Sequence, residues 1–198
     1  RVYNLAVRRD NLFKARIKIL GHEIGAAEMA RRVEAEWEEI RETSVDLPAD
    51  EVARIRAFFQ PPPYAPQPGF AAEYEALRHA DADFARWTRT NLAAHKVPGY
   101  SIVNLSLKPT GKPPGDVTAA QMEAVAGLTE RYSLGEIRVT HEQNLVLPHV
   151  AKTDLPALWR ALVALELATP NIGLVSDSIA CPGLDYCALA NARAIQVA

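Results

Sequence analysis

Apolar residues at Met29, Val33, Trp37 and Ile40 punctuate an otherwise charged stretch, and that spacing predicts one apolar stripe along a long helix beginning near Ala26. Ahead of it, "RRDNLFKARIKIL" mixes basic and apolar residues at a loosely helical spacing, and Gly21 or Gly25 would close that element. A shorter helix is predicted after Pro48 and Asp50, with Val52, Ile55 and Phe59 along one side. Residues 1–59 therefore read as helical. The stretch "QPPPYAPQPG" breaks the pattern, because the five prolines within Pro61–Pro68 suit neither a helix nor a central strand. It reads as a stiff extended spacer, with a polyproline ligand for another domain as the alternative.

Beyond a weaker helical stretch around Phe84 to Leu92, the period changes at "GYSIVNLSLKP". Ile102, Val103, Leu105 and Leu107 form a predicted strand that Pro109 closes. "KPTGKPPGD" is a loop. Thr118 and Gln121 have the spacing of a capping box, and Met122, Val125, Ala126 and Tyr132 continue a helix from it. "EIRVT" and "NLVLPHV" read as two strands joined at "HEQ", and "TDLPALWRALVALEL" as a helix capped by Thr153 or Asp154. The order β-α-β-β-α predicts an α+β fold of the ferredoxin-like, split βαβ kind, lacking only a final strand. In that fold Val125, Ile137, Val139, Leu145, Leu147, Leu158 and Leu162 face one core, and Arg138 and Thr140 point to the other side. The last residues, "NARAIQVA", read as an unfinished helix, and with no initiator Met the chain is expected to be an internal segment of something longer.

Composition excludes several functions. With 198 residues, 48% of them hydrophobic and 23% charged, the chain has the make-up of a globular protein able to bury a core. A formal charge of −2 leaves no basic footprint for nucleic acid or an anionic membrane. No apolar run has the length of a membrane span and no signal peptide opens the chain, so a cytoplasmic setting is expected. Thiols there stay reduced, which changes the reading of the only two cysteines, Cys181 and Cys187. Their C-x5-C spacing leaves three possibilities open: inert buried thiols, half of a metal site, or a reversible disulfide. Cys187 is predicted in the first turn of a helix, where backbone N–H groups favour the thiolate. Thiolate suits iron–sulfur clusters and zinc, but a closed site needs four ligands and this chain holds no third cysteine.

A second candidate is the polar set in "EIRVTHEQNLVLPHV". Arg138, Thr140, Gln143 and Asn144 combine a guanidinium, a hydroxyl and two amides, suited to carboxylates or a small oxyanion; the alternative is a solvated outer face. His141 and His149 are too isolated to predict a zinc site and read as surface or turn histidines.

Together, "RRDNLFKARIKIL", "EIRVTHEQNLVLPHV" and "IACPGLDYCALANARAI" resemble the nitrite and sulfite reductase haemoprotein family. The likeness is strongest in the R-x-T-x-x-Q-N and C-x5-C stretches and weak in the proline-rich segment. It implies that residues 1–60 are the end of a first haem-binding domain, 61–96 a linker and helix, 97–168 a second ferredoxin-like half-domain, and 169–198 the start of a second haem-binding α/β domain. It further implies a sirohaem joined to a four-iron four-sulfur (4Fe-4S) cluster in the complete enzyme, with Cys181 and Cys187 as the first pair of cluster ligands and a C-x3-C pair further on.

By the same resemblance Arg138, Thr140, Gln143 and Asn144 are cofactor-binding candidates. A structural role at the pseudo-twofold interface is the other reading of this second-half motif. Lys14, Arg16 and Lys18 fall in a family-like basic stretch that equally suits a solvated helix face. The implied reaction is six-electron reduction of a small inorganic anion, sulfite ahead of nitrite, with electrons from ferredoxin or a flavoprotein. The segment alone is expected to be inactive and to hold neither cofactor. The rival reading is a non-catalytic ferredoxin-like module using Cys181 and Cys187 as a thiol switch.

Overall fold

The computed structural model describes residues 1–43, 47–68, 71–195 and 197, in two compact units, Arg1–Pro61 and Pro62–Ala198. In the first, helices α1 (Val2–Ala6), α2 (Ile17–Ile24), α3 (Ala26–Ile40) and α4 (Ala49–Ala57) follow the helical pattern of the sequence. Gly25, at φ +81°, ends α2 and opens α3 in one residue, a backbone conformation that favours glycine. Phe59, expected on α4, lies past its end and is exposed. Among the described residues of this unit only Leu20 is buried, and Lys14, Arg16 and Lys18 are exposed.

The second unit contains α5 (Ala72–Ala80), α6 (Ala82–Asn91), β1 (Leu92–Ala94), β2 (Tyr100–Leu105), α7 (Ala119–Tyr132), β3 (Arg138–Val139), β4 (Leu145–Ala151) and α8 (Leu155–Ala164). The strands form one antiparallel sheet in the order β1-β2-β4-β3. The β-α-β-β-α reading thus stands for β2 to α8. The fourth strand comes from the N-terminal side, where helix was expected to run through Leu92. The capping box is present, Thr118 Oγ1 accepting the Gln121 N–H at 3.2 Å and Gln121 Oε1 accepting the Thr118 N–H at 3.0 Å.

The core gathers Val103, Leu105, Val125, Leu147, Val150, Leu155, Leu158 and Leu162 with Phe84 and Trp87 of α6. Phe84 meets Trp159 edge-on at 5.1 Å. Between Ser101 and Val103 two steps along β2 face three along β4. This bulge lets Leu147 and Val150, three residues apart, both enter the core, and it accommodates Pro148 inside a buried strand.

Two expected core residues are corrected. Ile137 and Val139 are 40% and 81% exposed. By register Val139 pairs with Leu145, on the helix-covered face, but β3 is a two-residue edge strand and the helical layer ends short of it. The helix predicted to begin near Cys187 is also absent: among the described residues, 186–197 form turns and irregular backbone. Pro182–Gly183 starts a single 3-10 turn that ends at Asp185, and no periodic apolar face follows to bury a helix.

Candidate functional site

The four polar candidates do not converge on a shared cavity. Arg138 lies on the edge strand with its side chain 61% exposed and its guanidinium paired with Glu136 at 2.5 Å. Thr140 Oγ1 accepts the backbone N–H groups of Glu142 (3.2 Å) and Asn144 (3.1 Å), which closes the turn between β3 and β4. Gln143 sits in that turn at φ +58°. Its amide bonds both backbone groups of Ala180: Nε2 donates to the carbonyl at 2.7 Å and Oε1 accepts the N–H at 3.0 Å. Asn144 is buried, its Oδ1 accepting the Leu107 N–H (3.2 Å) and its Nδ2 donating to Asp177 (2.9 Å).

These bonds lead to a buried ion pair that the sequence pattern did not reveal. Lys108 Nζ meets Asp177 Oδ1 at 2.7 Å with side chains 2% and 6% exposed. The ammonium also donates to the backbone carbonyls of Asp177 (2.9 Å) and Glu142, so three protons have three acceptors. Asp177 Oδ2 accepts the Gly173 N–H at 2.8 Å. Burial pushes the Asp177 carboxyl up, but hydrogen bonds from Asn144, Lys108 and Gly173, together with the Lys108 charge, outweigh it and hold the group below the ordinary carboxylate range. Asn171 Nδ2 adds bonds to the carbonyls of Lys108 (3.0 Å) and Ser176 (3.1 Å).

The cysteines follow directly on this network. Both are free thiols, Cys181 exposed and Cys187 half-buried. Gly183 N–H donates to Cys181 Sγ at 3.4 Å, and the Gly183 carbonyl accepts the Cys187 N–H at 2.8 Å. Gly183 has φ +59°, and a Cβ there would come within 2.6 Å of the Ala192 carbonyl oxygen, so the loop requires glycine. A cleft of about 1480 Å³ opens beside Cys181, with Thr110, Lys112, Ser178 and Arg193 on its walls. Among the described residues no group of three or more His, Cys, Asp and Glu side chains is placed to hold a metal. In donor chemistry the loop offers two thiols of the kind a four-thiolate set uses, one of them accepting an N–H as cluster-bound sulfurs do. The amides of Gln143 and Asn144 are bonded within the chain, whereas Thr140 Oγ1 accepts two backbone N–H groups and keeps its own proton to donate.

A further cluster lies where the proline-rich segment crosses the sheet. Tyr64 Oη is 3.0 Å from His149 Nδ1 and 3.4 Å from His95 Nε2, and His149 Nε2 meets Glu136 at 3.0 Å. Val97 N–H donates to His95 Nδ1 at 2.8 Å. Tyr64 also packs edge-on against Tyr100, whose hydroxyl donates to the Ala65 carbonyl and accepts from Gln67. His149, read as a surface or turn residue, is 6% exposed, because the bulge turns it away from Val150 and under Tyr64. The described part of the segment within the second unit, residues 62–68, is thus a strap on the sheet instead of a free spacer; Gly69 lies outside the described residues.

Residues 110–165 match the nitrite/sulfite reductase ferredoxin-like half domain. The chain is 38% identical over 122 residues to the chloroplastic ferredoxin–nitrite reductase of Zea mays, covering 57% of this chain and 21% of that protein. The chloroplastic enzyme of Betula pendula is 31% identical over 133 residues, with 63% and 22% covered. The ferredoxin–nitrite reductase of Synechococcus elongatus is 31% identical over 129 residues, with 62% and 24% covered. The chain spans less than a quarter of the length of these relatives. Residues 110–165, which hold α7, β3, β4 and α8, therefore carry a nitrite/sulfite reductase ferredoxin-like half domain, and more than half of the chain is similar to part of the ferredoxin–nitrite reductases.

Proposed function

We propose that the chain is part of a sirohaem- and cluster-dependent oxidoreductase that reduces nitrite or sulfite, carrying the second ferredoxin-like half-domain (97–168) between the end of one haem-binding domain (1–60) and the start of another (169–198). The observation that supports this best is the order of features at the end of the chain. The family match runs to residue 165, and the C-x5-C loop follows it with two free thiols and a Gly183 N–H donated to Cys181. Nitrite is the first substrate to test, because the relatives are named as ferredoxin–nitrite reductases. Sulfite, which the sequence favoured, is the second. Ferredoxin is the corresponding donor, ahead of a flavoprotein. The cytoplasm, or the plastid named in the plant relatives, would house the enzyme; among the described residues no helix is long and apolar enough to cross a membrane.

When bound, a 4Fe-4S cluster coupled to sirohaem supplies the single-electron steps that reduction of an oxyanion needs. Within this chain Cys181 and Cys187 would provide two of the four thiolates, and the Gly183 N–H would lower electron density on the Cys181 sulfur. Of the four motif residues, Arg138 alone keeps its charged group at the surface, where it could pair with a cofactor carboxylate in place of Glu136.

Visible absorption together with iron and acid-labile sulfide analysis of the full-length protein tests the reading. We expect sirohaem bands and about four irons per chain, lost in Cys181→Ser and Cys187→Ser variants, and turnover of nitrite faster than sulfite. A folded, colourless, iron-free full-length protein would instead favour the thiol switch.

A further inference from the structure

Ten residues, Asn171 to Ala180, lead from the half-domain to Cys181, and their side-chain hydrogen bonds to the rest of the chain run to two places: Lys108, just past β2, and the turn between β3 and β4. Lys108 and Asn144 hold Asp177, Asn171 holds the Lys108 carbonyl, and Gln143 holds Ala180 at both its backbone groups. From Ala180 the attachment continues into the loop through Gly183, whose N–H and carbonyl reach Cys181 and Cys187 respectively.

We propose that Lys108, Asp177 and Gln143 are positioning residues for the two thiols, fixing Cys181 and Cys187 on the half-domain as a ready-made two-thiolate site before any metal arrives. The inference rests on the cluster reading above and adds the residues that prepare the site.

Three features favour this over mere packing. A buried Lys–Asp pair is a poor source of stability compared with apolar residues of similar volume, but its directional bonds define one register. Here the ammonium ties the β3–β4 turn, through the Glu142 carbonyl, to the cysteine-bearing segment, through both Asp177 oxygens it reaches. Next, Gln143 adopts a left-handed backbone conformation that β-carbon-bearing residues seldom adopt, and its amide then pairs with Ala180 as a neighbouring strand would. Gly115 accommodates it, since a Cβ there would stand 3.3 Å from Gln143 Cβ. Finally, the pairing falls on the residue immediately before Cys181, where a small displacement transfers to the sulfur with least loss.

A chain with both thiols already placed forgoes little conformational freedom on binding metal, so it binds more tightly than one that must order the loop first. The probe is Cd²⁺, added under reducing conditions to the 198-residue chain, with the thiolate-to-metal absorption followed. We expect one Cd²⁺ per chain and at least a tenfold weaker affinity in Cys187→Ala, because both sulfurs are used. Gln143→Glu keeps the acceptor for the Ala180 N–H but sets a carboxylate against its carbonyl. It should weaken Cd²⁺ binding about tenfold, speed amide exchange at 180–187, and leave the melting temperature near that of the parent. Lys108→Met should weaken binding further.

Parental affinity in Gln143→Glu would overturn the proposal, and so would weaker binding that appears only with a matching loss of global stability. If the parent itself binds no better than Cys187→Ala, joint presentation of the thiols is wrong. The reductase reading is then still decided separately, by the spectrum of the full-length protein.

Discussion

The Asp177 carboxylate accepts from Lys108, Asn144 and the Gly173 N–H, and its charge state sets a pH dependence. Because its folded carboxyl lies below the ordinary range, the unfolded chain takes up that proton at higher pH than the folded one. The stabilisation is therefore complete above the ordinary carboxylate range and declines as the pH falls through the depressed folded value. Lys108→Met leaves the carboxylate buried without its cation, a change that costs about 3–5 kcal/mol near neutrality. Protonating Asp177 relieves much of that penalty, so the gap between parent and variant should narrow with acid. Urea midpoints at neutral and strongly acid pH measure this; a gap of constant size would mean that Asp177 does not carry the effect.

Among the elements, those with a strong local signal were legible before the fold was known. Helix α3, the α7 capping box and strands β2 and β4 depend on near neighbours, and each forms where its local pattern placed it, although β4 is buried on both faces from Leu147 to Ala151 and the α3 stripe stays partly exposed. β1 was not legible because three residues, Leu92–Ala94, are too few to show a period; pairing with β2 makes them a strand. The candidate site divides the same way. The polar motif at 138–144 and the Cys pair stood out by residue type, but Gln143 and Asn144 find their partners 37 and 33 residues away, at Ala180 and Asp177. Lys108 looked like the end of a strand because its partner lies 69 positions downstream. The proline-rich strap shows the same limit: its prolines announced extended backbone, while its anchor, Tyr64, is defined by His95, Tyr100 and His149 on the sheet. Tyr64→Phe removes the hydroxyl and leaves His149 Nδ1 short of a donor, so a loss of about 1 kcal/mol is expected. Tyr64→Ala, which also removes the edge-on ring contacts, should cost about 2–4 kcal/mol. Both are measured by chemical denaturation, and equal losses would show that the ring contributes nothing beyond its hydroxyl.

For the whole chain, burial is divided unevenly between the two units. Residues 62–198 hold the aromatic and aliphatic core, the buried polar network and the entire sheet. Within residues 1–61 only Leu20 is buried among the described residues, and the α3 stripe leaves Val33 and Trp37 half open to solvent. Ion pairs such as Glu28 with Arg31 and Arg32, at 2.7 Å, support that helix from its exposed side, where each contributes little. Cooperative unfolding comes from apolar burial, so it should belong to the second unit. Residues 62–198 produced alone are expected to keep the near-ultraviolet dichroism of Trp87 and Trp159 and to melt within a few degrees of the 198-residue chain. Residues 1–61 alone should show helical signal that fades gradually with temperature, without a heat-absorption peak. Calorimetry on the three species decides the matter. A fall of roughly 10 °C or more in the melting temperature of residues 62–198, equivalent to about 2–4 kcal/mol for a domain of this size, would show that the first unit contributes to the stability of the half-domain.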